Sequence, residues 1–223
     1  MQLAAAQAGS YSQTYTILMK GAVAGTEVVS EKIDEQGNTV SSSEHELFIS
    51  DGLETKRMAF TTSLVLAKGT LSPIQYNFQY TSGELRDSCA VTVKGGEIKR
   101  ILNRAGHSSD VTARVKPGFV ILDFVVYHHY DWIVRRYDLK KGGRQSFANF
   151  IPLIGGDVPL ALTLLPDSSI NVGGVQISVR NFKVDVGALW TGTLSTDKNN
   201  RLVRLAIPAQ DLEVIRKDLL SKP

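Results

Sequence analysis

Hydrophobic and polar residues alternate with a period of two along most of this chain, which predicts strand after strand. Tyr11, Gln13, Tyr15, Ile17 and Met19 share one face of a first strand that ends at Lys20-Gly21. A less regular strand runs through Thr26-Glu27-Val28-Val29 to Ile33, and Glu35-Gln36-Gly37-Asn38 turns the chain. A third strand goes from Thr39 towards Ile49, opening on the polar Ser41-Ser42-Ser43, and Asp51-Gly52 reads as a hairpin turn. The next places Met58, Phe60, Thr62, Leu64 and Leu66 on one side and closes at Lys68-Gly69. Then Ile74, Tyr76, Phe78 and Tyr80 alternate with Gln75, Asn77, Gln79 and Thr81. One face of that strand is aromatic and the other amide and hydroxyl, the signature of a half-buried strand facing a core or cavity.

Cys89, Val91 and Val93 continue the pattern beyond Ser82-Gly83, followed by Lys94-Gly95-Gly96 and by Ile98 to Leu102. A polar loop with His107 and a short extended piece, Val111 to Val115, lead to Pro117-Gly118. In the second half, extended segments are read at Phe147 to Ile151, Val158 to Leu165, Val175 to Val179, Val184 to Val186, Leu189 to Thr193 and Leu202 to Ile207. Gly155-Gly156 and Gly173-Gly174 read as turn glycines. After Pro208, Leu212, Ile215 and Leu219 line one side of a short C-terminal helix, with Glu213 and Lys217 spaced for an i,i+4 pair. About a dozen strands separated by turn signals suit one large curved antiparallel sheet.

One stretch breaks the alternation. From Phe124 to Tyr137, a period of 3.6 puts Leu122, Val126, Tyr127, Tyr130, Ile133, Val134 and Tyr137 on one broad apolar arc. His128, Asp131 and Arg135 fall on the opposite side, read as a solvated polar face. Asp123 is placed to cap its start. Arg135, Arg136, Lys140 and Lys141 suit its carbonyl end, and Gly142-Gly143 stops it. The expected fold is therefore mainly β: a large curved antiparallel sheet, an incomplete barrel, wrapped around one central α-helix.

Composition changes this picture little. The 223 residues are 43% hydrophobic and carry a net charge of +3. That charge is spread along the chain rather than gathered into a basic patch, so no nucleic-acid partner is expected. No run approaches the ~20 apolar residues of a transmembrane segment, and none is expected. The single cysteine, Cys89, cannot form an internal disulfide and sits in the strand SCAVTV, where a buried, inert thiol is expected. Ala6-Gln7-Ala8 has the form of a signal-peptidase site behind small apolar residues. Residues 1–9 are accordingly expected to be the end of a signal peptide or a disordered terminus, and 10–223 a single half-barrel domain. The expected address is periplasmic or secreted.

Candidate chemistry is sparse. His128, His129 and Asp131 could hold part of a metal site, but adjacent histidines point about 100° apart on a helix. H-E-x-x-H is absent, and His45 and His107 lie in separate segments. Asp123 beside Tyr127 and Tyr130 could serve as a buried acid, or as the helix cap. G-x-S-x-G, G-x-G-x-x-G and the phosphate-loop pattern are all absent. No catalytic residue, metal or cofactor is expected. The aromatic set is the better candidate: Tyr76, Phe78, Tyr80, Val126, Tyr127, Tyr130, Ile133 and Tyr137, with Trp132, could line a groove between helix and sheet. The same residues would equally build a packed core.

Paired strands around Gly21 and Gly25, the Leu71-Ser72-Pro73…Tyr76 lead-in to an aromatic strand, a mid-chain helix, and the Trp190…Asp197…Arg201-Leu202 hairpin into Ile207-Pro208 complete the pattern. In these features, spread from Ser10 to Pro208, the chain resembles an uncharacterised family of exported bacterial proteins, known as a domain of unknown function. That family's fold is similar to the half-barrel of the periplasmic lipoprotein carriers of the LolA/LolB type. The resemblance implies export and an incomplete barrel with a helical plug, and transfers no site residue. The function expected is binding of a lipid or acyl chain between helix and sheet. The alternatives are a structural or protein-interaction component of the cell envelope with a packed core and, third, an enzyme.

Overall fold

The computed structural model describes residues 11–50, 54–172 and 174–220. Ala6-Gln7-Ala8, the Asp51-Gly52 turn and Gly173 lie outside them. Eight antiparallel strands follow one another as a meander: β1 (Tyr11–Met19), β2 (Ala22–Ile33), β3 (Thr39–Ser50), β4 (Thr55–Leu66), β5 (Pro73–Ser82), β6 (Leu85–Lys94), β7 (Glu97–Arg104) and β8 (His107–Arg114). The chain then enters the interior through β9 (Val120–Ile121) and α1 (His129–Val134). It returns through β10 (Arg144–Phe147), β11 (Asn149–Ile151), β12 (Gly156–Asp157), β13 (Leu160–Leu164), β14 (Ser168–Val172), β15 (Val175–Val186), β16 (Trp190–Thr196), β17 (Leu202–Ile207) and β18 (Leu212–Arg216).

The main sheet runs β10-β13-β15-β16-β17-β18-β1-β2-β3-β4-β5-β6-β7-β8, with β14 added beside β15. The first and last strands of the chain are neighbours at its middle, where Ile17 pairs with Val214 and Met19 with Leu212. The sheet does not close on itself: β8 and β10 are its two ends. This is the large, open, antiparallel sheet with one helix that the alternation predicts. β9, β11 and β12 form a separate small sheet inside it, with β9 and β11 parallel.

Two glycine positions show how the strands are steered. Gly95 and Gly96 both take positive φ (61° and 78°), so Lys94 and Glu97 close a two-residue hairpin that other residues would strain. Gly25 sits at the irregularity where β1 and β2 shift register after Ile17. A side chain there would run into the backbone oxygen of Glu46 and into Leu47, so β3 can pass this close only over a glycine.

Alternation decides what is buried. Phe60, Thr62, Leu64 and Leu66 on β4 and Tyr76 and Phe78 on β5 face inwards, as expected, and Cys89 is buried and unpaired. A single hydrophobic cluster joins the apolar side chains among these to Val120, Ile121, Tyr127, Tyr130, Ile133, Phe182 and Leu205.

Two elements differ from expectation. The helix is six residues long rather than the fourteen from Phe124 to Tyr137. It is flanked by four-residue turns, such as Tyr130 N–H to Tyr127 O at 3.2 Å and Tyr137 N–H to Val134 O at 3.0 Å. Val125, Val126 and Tyr127 are weak helix formers, and the burial of Val126 and Tyr127 outweighs what helix propensity they have. Most of the expected solvated face is missing as well: His128 and Asp131 are buried, as is His129, and Arg135 is only partly exposed. Asp123 does not cap the helix; His128 occupies that position and makes no side-chain cap bond.

The C-terminal helix is absent as well. Residues 212–216 form β18, which zips to both β1 and β17. Leu212 and Val214 point into the main core, while Ile215 joins Val179, Val203 and Leu219 in a second cluster. Glu213 pairs across the sheet with Arg204 (2.6 Å) rather than with Lys217. Short 3-10 turns at Pro208–Gln210 and Lys217–Leu219 flank the strand.

Candidate functional site

The inner face of β2, β3 and β4 carries a line of polar side chains inside an otherwise apolar shell. Glu27, Glu31, Ser41, Ser43, His45 and Thr62 are all buried. Glu27 on β2 stands directly across from His45 on β3, and His45 across from Phe60 on β4. The interior segment brings His128 down onto this pair. Glu27 Oε1 lies 2.5 Å from His128 Nδ1 and 3.2 Å from His45 Nε2. Ser43 Oγ reaches the same His45 nitrogen at 2.8 Å and Thr62 Oγ1 at 2.7 Å.

Burial alone would raise the Glu27 carboxyl, but the two imidazoles beside it hold it well below the usual carboxylate range. His45 stacks on Phe60, with ring centres 4.1 Å apart. His129 meets His128 edge-on and lies against Tyr76; its burial, with the charge of His128, pushes it well below the ordinary imidazole value. Among the described residues, Glu27, His45 and His128 form a group whose donor atoms, one from each, lie within 4.8 Å of one another.

Two further polar anchors tie the interior segment to the sheet. Asp131 Oδ1 accepts the Leu202 N–H at 2.7 Å, and Oδ2 faces Arg201 Nη1 at 3.3 Å. Arg201 also grips Glu31 with both nitrogens and lies over the Tyr11 ring at 3.6 Å. On the other side, the Tyr76 hydroxyl donates to Asp123 Oδ2 at 2.9 Å. Burial raises the Asp123 carboxyl to about 6, against hydrogen bonds from Tyr76 and the Phe124 N–H. Nearby, burial and the Asp123 charge push the Cys89 thiol up to about 12, which makes it a poor nucleophile.

An apolar groove opens at the β4–β7 side of the molecule. Met58, Phe60, Phe78, Tyr80, Leu85 and Leu102 form its sheet wall, and Val125 and Leu153 its interior wall; Asp87, Arg104 and Ala105 also line it. Its volume is about 340 Å³. Phe60 is shared: it forms part of the groove wall and also stacks on His45.

The residues singled out from the aromatic pattern are divided by the structure. Phe78 and Tyr80 line the groove. Tyr76, Val126, Tyr127, Tyr130, Ile133 and Tyr137 are buried, as is Trp132. Tyr130 packs edge-on against Trp190 and Tyr137 against Phe182, on the half of the sheet opposite β5. The histidine group escaped sequence reasoning, which paired His128 with Asp131 instead. One signal was present: counting outwards from the Gln36 turn places Glu27 opposite His45. Nothing local announces that His128 joins them.

No protein-family model matches this chain. No curated protein matches it either. The fold is similar to that of a β-barrel-like protein of a domain of unknown function, DUF1849, from Brucella abortus, at 8% sequence identity and a TM-score of 0.63 over 96% of each chain. A DUF1089 family protein from Pseudomonas aeruginosa overlaps 82% of this chain and 90% of its own at 12% identity and a TM-score of 0.46. The likeness to the DUF1849 structure shows the fold alone, a β-barrel-like one.

Proposed function

We infer that this protein binds a single acyl chain in the groove between β4–β7 and the interior segment, as an exported carrier or receptor of a lipid. The observation that carries this reading is the groove itself, an open apolar trough whose volume falls within the ~300–1,000 Å³ of small-molecule sites. Its walls are aliphatic and aromatic, and its polar groups include Arg104, paired with Asp87 at 3.7 Å. A cation at the edge of an apolar trough suits an amphiphile with an acidic head. Leu85, 42% exposed, extends the apolar surface outwards.

The test is a fluorescent fatty-acid probe titrated into the purified chain. The probe should brighten and be displaced by oleate or a lysophospholipid. Leu85→Glu combined with Leu102→Glu places two charges on the trough at positions that are not fully buried. Binding should weaken at least ~10-fold while Tm changes little. Absence of probe binding, or equal binding by the double variant, would overturn the reading.

The filled space around α1 favours a second reading, an envelope structural or interaction protein without a ligand, and an outcome with no probe binding would point there. Export rests on Ala6-Gln7-Ala8. Sequencing the mature N-terminus after expression of the full gene should show cleavage after Ala8; a cytoplasmic chain retaining these residues would refute it.

A further inference from the structure

We propose that Glu27, His45 and His128 bind one first-row divalent cation, zinc by ligand type, as a structural ion that locks the interior segment to β2 and β3. Two imidazoles and a carboxylate are a donor set suited to such ions, and they leave a fourth position to a small ligand such as water. Donors of a tetrahedral ion at ~2.1 Å stand about 3.4 Å apart. The Glu27–His45 separation of 3.2 Å already has that size, and the three donors together lie within 4.8 Å. The 2.5 Å contact between Glu27 and His128 must open by roughly 1 Å, a shift that side-chain rotation can supply.

Three observations separate this group from an ordinary buried ion pair. All three side chains are essentially inaccessible, in a part of the core where water does not compete for the donors. Glu27 Oε2 is buried without a hydrogen-bond partner. Unsatisfied polar atoms of this kind are uncommon in a folded core, and a carboxylate that binds an ion through both oxygens would use Oε2. The ligands also come from three separate places in the chain, with β2 and β3 holding two of them in fixed cross-strand register. An ion here would therefore crosslink the sheet to the segment that fills it.

Coordination takes the ring nitrogens that face Glu27, so in the loaded form His45 carries its ring proton on Nδ1 and His128 on Nε2. Because the site is closed, the ion enters during folding or through local opening, and it should leave slowly.

The chain should be unfolded, refolded with excess Zn²⁺ or Co²⁺, dialysed against a chelator, and measured for metal content. About one ion per chain should remain, the Co²⁺ form should show visible absorption of a four-coordinate site, and Tm should exceed that of chain refolded in chelator. Glu27→Gln and His128→Asn should each weaken binding at least ~100-fold. His107→Ala and Cys89→Ala should retain it, since His107 is exposed and neither residue belongs to the donor set. Should a ligand variant fail to fold, His45→Gln provides a second route, and the wild-type stoichiometry stands without any variant. Retention of no ion by refolded wild-type chain, or equal retention by the ligand variants, would overturn the proposal.

Discussion

Among the described residues, two hydrogen-bond donors offset the desolvation of the buried Asp123 carboxyl, the Tyr76 hydroxyl and the Phe124 N–H at 2.9 Å each. Its carboxyl is therefore raised from 3.8 to about 6. The sign of the consequence follows from proton linkage. Between pH ~4 and ~6 the folded chain holds a proton that the unfolded chain has released, so this group makes stability fall as pH rises and then level off. A shift of this size corresponds to about 3 kcal/mol at neutral pH. Asp123→Asn cannot ionise and keeps an oxygen for Tyr76. The stability of the variant relative to wild type should rise by roughly that amount between pH 4 and pH 7, measured by urea denaturation at each pH. Parallel pH profiles for the two proteins would rule out this role for Asp123. Cys89, close enough to feel the Asp123 charge, shows the same environment acting on a thiol.

At the scale of elements, α1 is too short to be stable by its own hydrogen bonds. It is held by what its side chains reach. Asp131 is the main polar tie, because it satisfies the Leu202 N–H and faces Arg201 in a site from which water is excluded. Its carboxyl is raised by burial and lowered by Arg201, settling at about 6, so it is ionised at neutral pH. Asp131→Ala leaves a buried N–H without an acceptor and removes one partner from Arg201, which keeps Glu31. The expected loss at pH 7.5 is about 3 kcal/mol by denaturant unfolding. Asp110→Ala on β8, where the side chain is exposed, should stay within ~0.5 kcal/mol. Equal effects of the two substitutions would show that the tie does not fasten the helix.

Over the whole molecule, one sheet is wound around its own middle. The termini of the described chain meet as β1 and β18, which joins the two halves of the main sheet along its centre rather than at its rim. The two ends of the sheet, β8 and β10, stay apart, and the interior segment fills the space between the halves. That arrangement leaves the apolar groove on the β4–β7 side, where Val125 and Leu153 cover the sheet incompletely, while the opposite side is sealed by Tyr130 against Trp190 and Tyr137 against Phe182. The similarity to the DUF1849 structure extends over nearly the whole chain at very low identity, as expected when strand order and inward–outward alternation persist without particular side chains.

Elements with local signals can be read from the order of residues alone. Alternation in Phe60 to Leu66 and Tyr76 to Tyr80 selects the inner face of each strand, and glycine pairs such as Gly95-Gly96 set the hairpins, because both depend on residues within a few positions of one another. The burial of Cys89 followed from the same alternation. The rest depends on contacts between distant parts of the chain. Leu212 to Arg216 reads as helix by spacing, but a strand there gains two partners, β1 and β17, that the local sequence does not reveal. The polar positions of the central segment look solvated because helical periodicity assumes that one side faces water. Here the sheet surrounds the segment, so His128 and Asp131 are buried against partners more than 70 residues away in sequence, Glu27 and Leu202. Convergence of this kind depends on strand register and on how the interior chain is threaded, and the free energy of pairing a buried charge appears only once both are in place.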